Sequence, residues 1–262
     1  MTSGAPPAPS PQGTPISERF ARAAIAIERY ILPWIYLWFI YLQIHTIHTN
    51  YVEYHGMVRA GFPPMSWPLF CASITRNVLL AILFVLTGIA LLLNRPPKHL
   101  PTNLTHITVP LAMSYYVFLY GGVNRLPDSW REDLMPVEWR VPAAAAAVVI
   151  SSIGYVISIC GLCNLGRSFA ILVAVRRVVT KGPYTYVRHP MYLGYLIELL
   201  GLLLSSFSPA MLLLGAGFVY LMVTRARLEE ERLSEADPAY RDYMRRTGFL
   251  FPHFRSKPAI AA

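Results

Sequence analysis

Residues 190–224 read PMYLGYLIELLGLLLSSFSPAMLLLGAGFVYLMVT, 35 residues with one acid, Glu198, and no base. As one helix they would extend about 52 Å at 1.5 Å per residue, well beyond the roughly 30 Å hydrocarbon core of a bilayer. Ser205-Ser206-Phe207-Ser208-Pro209 lies near the middle and reads as a turn. The stretch is therefore expected to form a tight helical hairpin of two shallow or tilted spans.

Similar apolar blocks precede it. Tyr30–Ile47, Thr75–Leu93 and Val141–Leu162 are each long enough to cross a bilayer as a helix. Leu104–Tyr120 is shorter and contains Pro110, which a membrane helix tolerates when neighbours satisfy the freed carbonyl. The expected fold is an all-α polytopic membrane protein of about six transmembrane helices. Composition agrees: 55% of the 262 residues are hydrophobic and 14% charged, where a soluble domain carries about a quarter charged. Residues 1–17 are rich in Pro, Ser, Gly and Ala and are expected to be a disordered tail. Residues 18–164 form a four-span region, 165–254 a second region with the hairpin, and 255–262 a flexible C-terminal tail.

The net charge of +9 raises the question of nucleic acid, but its distribution answers for a membrane. With the N-terminus in the cytoplasm, 18 of the basic residues fall on the cytoplasmic side, while Arg59, Arg76, Arg125, Arg131 and Arg140 fall outside. That asymmetry is what the positive-inside rule expects, and it places both termini in the cytoplasm.

Chemistry gathers in Arg176–Tyr192, RRVVTKGPYTYVRHPMY. Gly182-Pro183 reads as a turn, and Pro190 suits the first position of a helix, with His189 held extended before it. The free amides of that helix start, beside Arg188 and His189, form an anion site at the membrane surface. Tyr184, Tyr186, Tyr192 and Tyr195 cluster there and offer aromatic faces to a cation, although basic residues and tyrosines also serve as interfacial anchors. After the hairpin, Arg225 and Glu229 are four apart and share a helix face. They are either a surface ion pair or part of a site completed when the hairpin folds back. Glu198, inside the apolar hairpin, either pairs with a neighbouring helix or faces a cavity. Tyr192, Tyr195 and Glu198 are three apart on one face.

Other polar features read as structural. Cys160-Gly-Leu-Cys163 has redox-motif spacing but sits in an apolar run, so buried inert thiols are expected. His45, His48 and His55 lack a carboxylate at matching spacing; they read as interfacial, and no metal is expected. Ala239–Thr247 places Tyr240, Tyr243, Met244 and Thr247 on one stripe and Arg241, Arg245 and Arg246 elsewhere, an amphipathic surface helix.

Arg188-His189-Pro190-Met191-Tyr192-Leu193-Gly194, then Arg225-x-x-x-Glu229-Glu230-x-x-Leu233 and Tyr240-x-x-Tyr243, resembles the isoprenylcysteine carboxyl methyltransferase family, whose elements phospholipid methyltransferases share. Leu165-Gly166-Arg167-Ser168 and Thr180-Lys181-Gly182-Pro183-Tyr184 extend the likeness, which runs from Leu165 to Phe251. The resemblance implies S-adenosyl-L-methionine as cofactor, a lipophilic substrate and a cytoplasmic cofactor pocket without a Rossmann domain. It implies cofactor contacts at Arg176, Arg177, Val178, Val179, Tyr184, His189, Tyr192 and Glu229, and places Arg225 near the substrate. Members often carry His where this chain has Arg176. Glu198 is outside the family motifs and is the candidate base for an amine or thiol acceptor; a carboxylate acceptor needs none. Two other readings are a membrane reductase that holds a nicotinamide cofactor's phosphate on Arg176 and Arg177, and a non-catalytic scaffold.

The charge asymmetry yields a topology prediction. In a cysteine-free background, Lys98→Cys, Lys181→Cys and Lys257→Cys should resist an impermeant thiol reagent in intact cells, and Arg131→Cys should react. Labelling at Lys181→Cys from outside would invert the orientation.

Overall fold

A computed structural model describes residues 14–62 and 65–252. Helices account for nearly all regular structure; among the described residues there is no strand, only isolated bridges such as His99–Val175 and Val187–Gly248. The helices are α1 (Glu18–Tyr30), α2 (Leu32–Arg59), α3 (Trp67–Leu92), α4 (Thr105–Ser114), α5 (Val117–Gly122), α6 (Asp128–Arg131), α7 (Val137–Leu165), α8 (Pro190–Ser205), α9 (Pro209–Ala236) and α10 (Pro238–Arg246). Proline opens α2, α3, α8, α9 and α10 within the first two positions, where its missing N–H costs no hydrogen bond.

Four segments are long and apolar enough to cross a membrane: the α1–α2 run, α3, α7 with the turn after it, and α9. Their outer faces suit lipid. Trp34, Leu37, Trp38, Tyr41 and Ile44 of α2 are all exposed, a patch that water would penalise. The other two expected spans are shorter. Leu104–Tyr120 splits into α4 and α5 at Tyr115–Tyr116, with Pro110 inside the ten-residue α4. Helix α8 has 16 residues, about 24 Å by helical rise. The hairpin turns where the sequence placed it: Ser208 caps α9, accepting from the Met211 amide.

Helix α8, however, packs chiefly along α7 rather than along its hairpin partner. The seam is made of small residues, which let two backbones approach when no water drives them together. A Cβ on Gly194 would stand 2.2 Å from Ser158 Oγ and 2.8 Å from the Gly154 carbonyl, and one on Gly154 2.8 Å from the Gly194 carbonyl. Helix α3 lies against α2 and α7, and α4 against α9.

Two expectations need correction. Cys160 and Cys163 are exposed, not buried, because the opposite face of α7 presents Ser158, Gly161 and Leu162 to the interior. Residues 14–16 of the expected tail are tied down: the Ile16 amide donates to Thr102 O at 3.1 Å, and the Leu104 amide to Thr14 O at 2.9 Å. The rest of that tail, residues 1–13, and the expected flexible tail at 255–262 lie outside the described residues. His55, read as interfacial, packs among Tyr51, Tyr54, Trp67 and Phe70.

The seam sets a prediction. Gly194→Ala has no space to relax into, because the nearest atoms include backbone; it should cost about 1–3 kcal/mol, read as a lowered melting temperature in detergent.

Candidate active site

Between α7 and α8 the chain runs 24 residues with only short 3-10 turns. Such a segment at a membrane must satisfy its amides inside the protein. Glu28 of α1, fully buried, does much of this: its Oε1 accepts from the amides of Ile171 at 2.6 Å and Leu172 at 2.9 Å. Its Oε2 accepts from Arg176 Nη2 at 2.9 Å, and Arg176 Nε donates to Arg95 O. The Val173 and Val175 amides donate to His106 O and His99 O. The turn then reverses at Gly182, whose φ of +61° and 2.3 Å gap from a would-be Cβ to Asn164 Oδ1 both demand glycine.

The chain next enters α8 at Arg188-His189-Pro190, and the C-terminal segment closes over it. The Arg188 amide donates to Gly248 O, the His189 amide to Phe249 O, and Tyr243 Oη to Tyr184 O. Tyr240, Tyr243, Met244 and Thr247 face inward while Arg241, Arg245 and Arg246 stay exposed, as the stripe predicted.

Two carboxylates from α9 organise the polar core. Glu229 Oε1 accepts from Tyr192 Oη at 2.7 Å and from Arg225 Nε at 3.0 Å. Arg225 is buried, its other nitrogens reaching Ala170 O and Ser114 Oγ, with its guanidinium 5.6 Å from the Tyr192 ring centroid. Glu230 Oε1 takes Arg188 Nε at 2.5 Å and His189 Nε2 at 3.0 Å. The His189 ring stacks on Tyr192, 5.1 Å between centroids. Arg188 also donates to the Met244 and Thr247 carbonyls. The expected anion site is thereby corrected: Arg188 is consumed by Glu230 and backbone oxygens. Tyr186 departs from the expected tyrosine cluster, being exposed, because Val187 pairs with Gly248 and turns it outward. Burial pushes the Tyr184 and Tyr240 phenols well above their ordinary range, so both act as neutral groups.

All ten residues singled out from sequence line one cavity of about 380 Å³. Arg176, Arg177, Val178, Val179, Tyr184, His189, Tyr192 and Glu229 line it, with Arg225 beside Glu229, and Glu198 lies further along α8. The lining also takes Tyr36, Phe39, Leu83 and Phe84 from α2 and α3, and Tyr155 from α7. Sequence reasoning missed Glu28 and the structural use of Glu230. The available signal for Glu28 was weak, an acid directly after the apolar run Ala23–Ile27 and just before Arg29. Among the described residues no cluster of His, Cys, Asp and Glu is arranged to hold a metal.

Residues 143–236 match the phospholipid methyltransferase family. The match bears out the resemblance read from the motifs, and it runs from α7 to the end of α9, the segment that supplies most of the polar cavity wall. Two curated relatives are similar. The cobalt-zinc-cadmium resistance protein CzcN of Cupriavidus metallidurans is 34% identical over 35% of this chain and 44% of its own length. The nickel-cobalt-cadmium resistance protein NccN of Alcaligenes xylosoxydans xylosoxydans is 32% identical over 54% of this chain and 62% of its own length. The chain thus spans less than two thirds of either relative.

Glu28 provides the test of this architecture. Glu28→Ala strands Arg176 and two amides and should cost about 3–5 kcal/mol. Hydrogen exchange should accelerate at residues 169–176, whereas loss of the exposed Glu18–Arg22 pair should leave it unchanged.

Proposed function

We propose that this protein is an integral membrane methyltransferase that transfers the methyl group of S-adenosyl-L-methionine to a lipophilic acceptor, with Arg225 facing the acceptor. The observation that carries the reading is the single cavity in which the Glu229–Arg225–Tyr192 cluster meets a wall of apolar side chains. Its volume, about 380 Å³, is in the range of small-molecule sites.

The residues present fit the cofactor. Arg176 Nη1 is buried without a hydrogen-bond partner among the described residues, at the cavity wall, and can take a carboxylate. Glu229 Oε2 has only His189 Nδ1 near it, at 4.0 Å, leaving capacity for an ammonium or hydroxyl. The faces of Tyr184 and Tyr192 suit a sulfonium. When bound, the cofactor supplies an electrophilic methyl carbon. The protein's task is then alignment of two reactants, since in-line displacement gains most from orientation. The ring stack of His189 on Tyr192 and the bond from Tyr192 to Glu229 hold the three side chains in one arrangement.

The Arg225–Glu229 bond makes the test sharper than two separate mutants. S-adenosylhomocysteine should raise the melting temperature of the wild type. Glu229→Gln should weaken its binding by about 1.5–3 kcal/mol. Arg225→Ala should weaken it as well, through loss of its bond to Glu229, and the double mutant should lose less than the sum. Additive effects would mean the two residues act independently. Stabilisation by NADPH instead of S-adenosylhomocysteine would replace this reading with the reductase.

A further inference from the structure

The deep part of the cavity holds a group that the alignment of a methyl donor does not use. Glu198 stands on α8 six residues beyond Tyr192, about 9 Å along the helix axis. The cavity it lines is shared with Phe39, Leu83, Phe84, Tyr155, Tyr195 and Phe218, from four other helices and its own. Its Oε1 accepts from Ser158 Oγ at 2.7 Å. Its other oxygen makes no hydrogen bond to the described residues, yet is not among the polar atoms sealed from the cavity. No basic side chain pairs with it among the described residues; the buried arginines are committed elsewhere, Arg176 to Glu28, Arg188 to Glu230 and Arg225 to Glu229.

A carboxyl in such a place is costly unless it has work to do. Glu198 lies in the α7–α8 seam, its Cγ against Gly154 and its Oε1 on Ser158, but closing that seam does not require its charge. Gly154 and Gly194 already bring the two backbones together, and Ser158 could return its hydroxyl to the preceding helical turn, as Ser152 does to Val148 O. A glutamine would accept the same bond without the charge. What only a carboxylate offers in an apolar chamber is a strong acceptor for a proton.

Resting on the methyltransferase reading, we propose that Glu198 binds the protic head group of a lipophilic acceptor, an N–H or S–H, and receives its proton, so that the enzyme methylates a nitrogen or sulfur and rejects carboxylic acids. In the step, the N–H or S–H proton passes to the free Glu198 oxygen. The electron pair left on the heteroatom forms the new bond to the donor's methyl carbon. The methyl–sulfur bond breaks with its pair on sulfur, so the sulfonium leaves as a neutral thioether. A carboxylate acceptor needs no base, and beside Glu198 it meets a like charge, with the buried Arg176 and Arg225 already paired to Glu28 and Glu229.

The full chain in phosphatidylcholine nanodiscs, loaded with S-adenosylhomocysteine, tests this without a known substrate. Dicyclohexylcarbodiimide, which enters apolar sites and reacts with carboxyls, should label Glu198, read by peptide mass spectrometry. Dodecylamine or dodecanethiol should lower that labelling about tenfold, the effect of a ligand held in the chamber, and dodecanoate should not. With methyl-labelled cofactor the amine or thiol should gain the label, and which of the two does so assigns nitrogen or sulfur. Glu198→Gln should slow that transfer about 100-fold, the scale of a lost general base, with S-adenosylhomocysteine affinity kept within about twofold. Labelling protected equally by dodecanoate, a methyl ester formed from dodecanoate, or Glu198→Gln retaining transfer would each overturn the proposal. If Glu198→Gln does not fold, the protection pattern of the wild type decides. Failure of S-adenosylhomocysteine to bind the wild type would strike the methyltransferase reading itself and is seen separately from the carbodiimide arm.

Discussion

Every amide of an irregular segment at a membrane must be answered by the protein, and in this molecule a single carboxylate answers the hardest ones. Glu28 is wholly buried and spends both oxygens, one on the amides of Ile171 and Leu172 and one on Arg176. Its charge is balanced by Arg176, and Arg176 is held in turn by Arg95 O. The arrangement is strong because each member leaves an uncompensated buried group if another is removed. It also fixes the direction of the chain from Phe169 to Arg176, and with it one wall of the cavity. The first helix, which carries no chemistry of its own, thus sets the shape of a site built mostly by residues far along the chain.

The second organising device is the pair Glu229–Glu230. Neighbours in sequence point about 100° apart on a helix, and α9 uses the divergence to serve two purposes. Glu230 turns toward Arg188 and His189, locking the start of α8 to α9, while Arg188 reaches the C-terminal carbonyls and ties in the segment after α10. Glu229 turns toward the cavity, where Tyr192 and Arg225 share one of its oxygens. Glu230 ties α8 to α9 through Oε1, while Glu229 faces the cavity and bonds through its own Oε1. This division explains why two like charges in succession are tolerated: each is neutralised by a different arginine.

Much of this was legible in the sequence, for physical reasons that can be named. Long apolar blocks are unambiguous, so α2, α3, α7 and the hairpin turn at Ser206–Ser208 lie where they were read. The stripe Tyr240, Tyr243, Met244 and Thr247 was readable because its spacing is a local property. The nine candidate residues that the resemblance named line one cavity, and Glu198, which it did not name, lines the same cavity. What could not be read depends on distant partners. Hydropathy does not tell a span from the split α4–α5, since Pro110 and the Tyr115–Tyr116 turn decide it. Nor does it say which side of α7 faces inward, and so the cysteines were misplaced. The Glu28–Arg176 bond joins residues 148 apart, and no local pattern announces it.

That last contrast bears on why the N-terminal helices carry no recognisable motif although they complete the cavity. The polar end needs particular atoms at particular distances: Glu229 between Tyr192 and Arg225, Glu28 beneath two amides. Few side chains meet such demands, so these positions read as motifs. The deep end needs only apolar surface of the right volume, and Phe39, Leu83 and Phe84 could exchange for other large apolar residues at modest cost. A wall specified by volume leaves no signature in a sequence. Within that wall Glu198 is the exception, a residue whose charge is not needed for packing. On the proposed reading, the one acid in a region where almost any apolar side chain would serve is where selectivity for the acceptor is set.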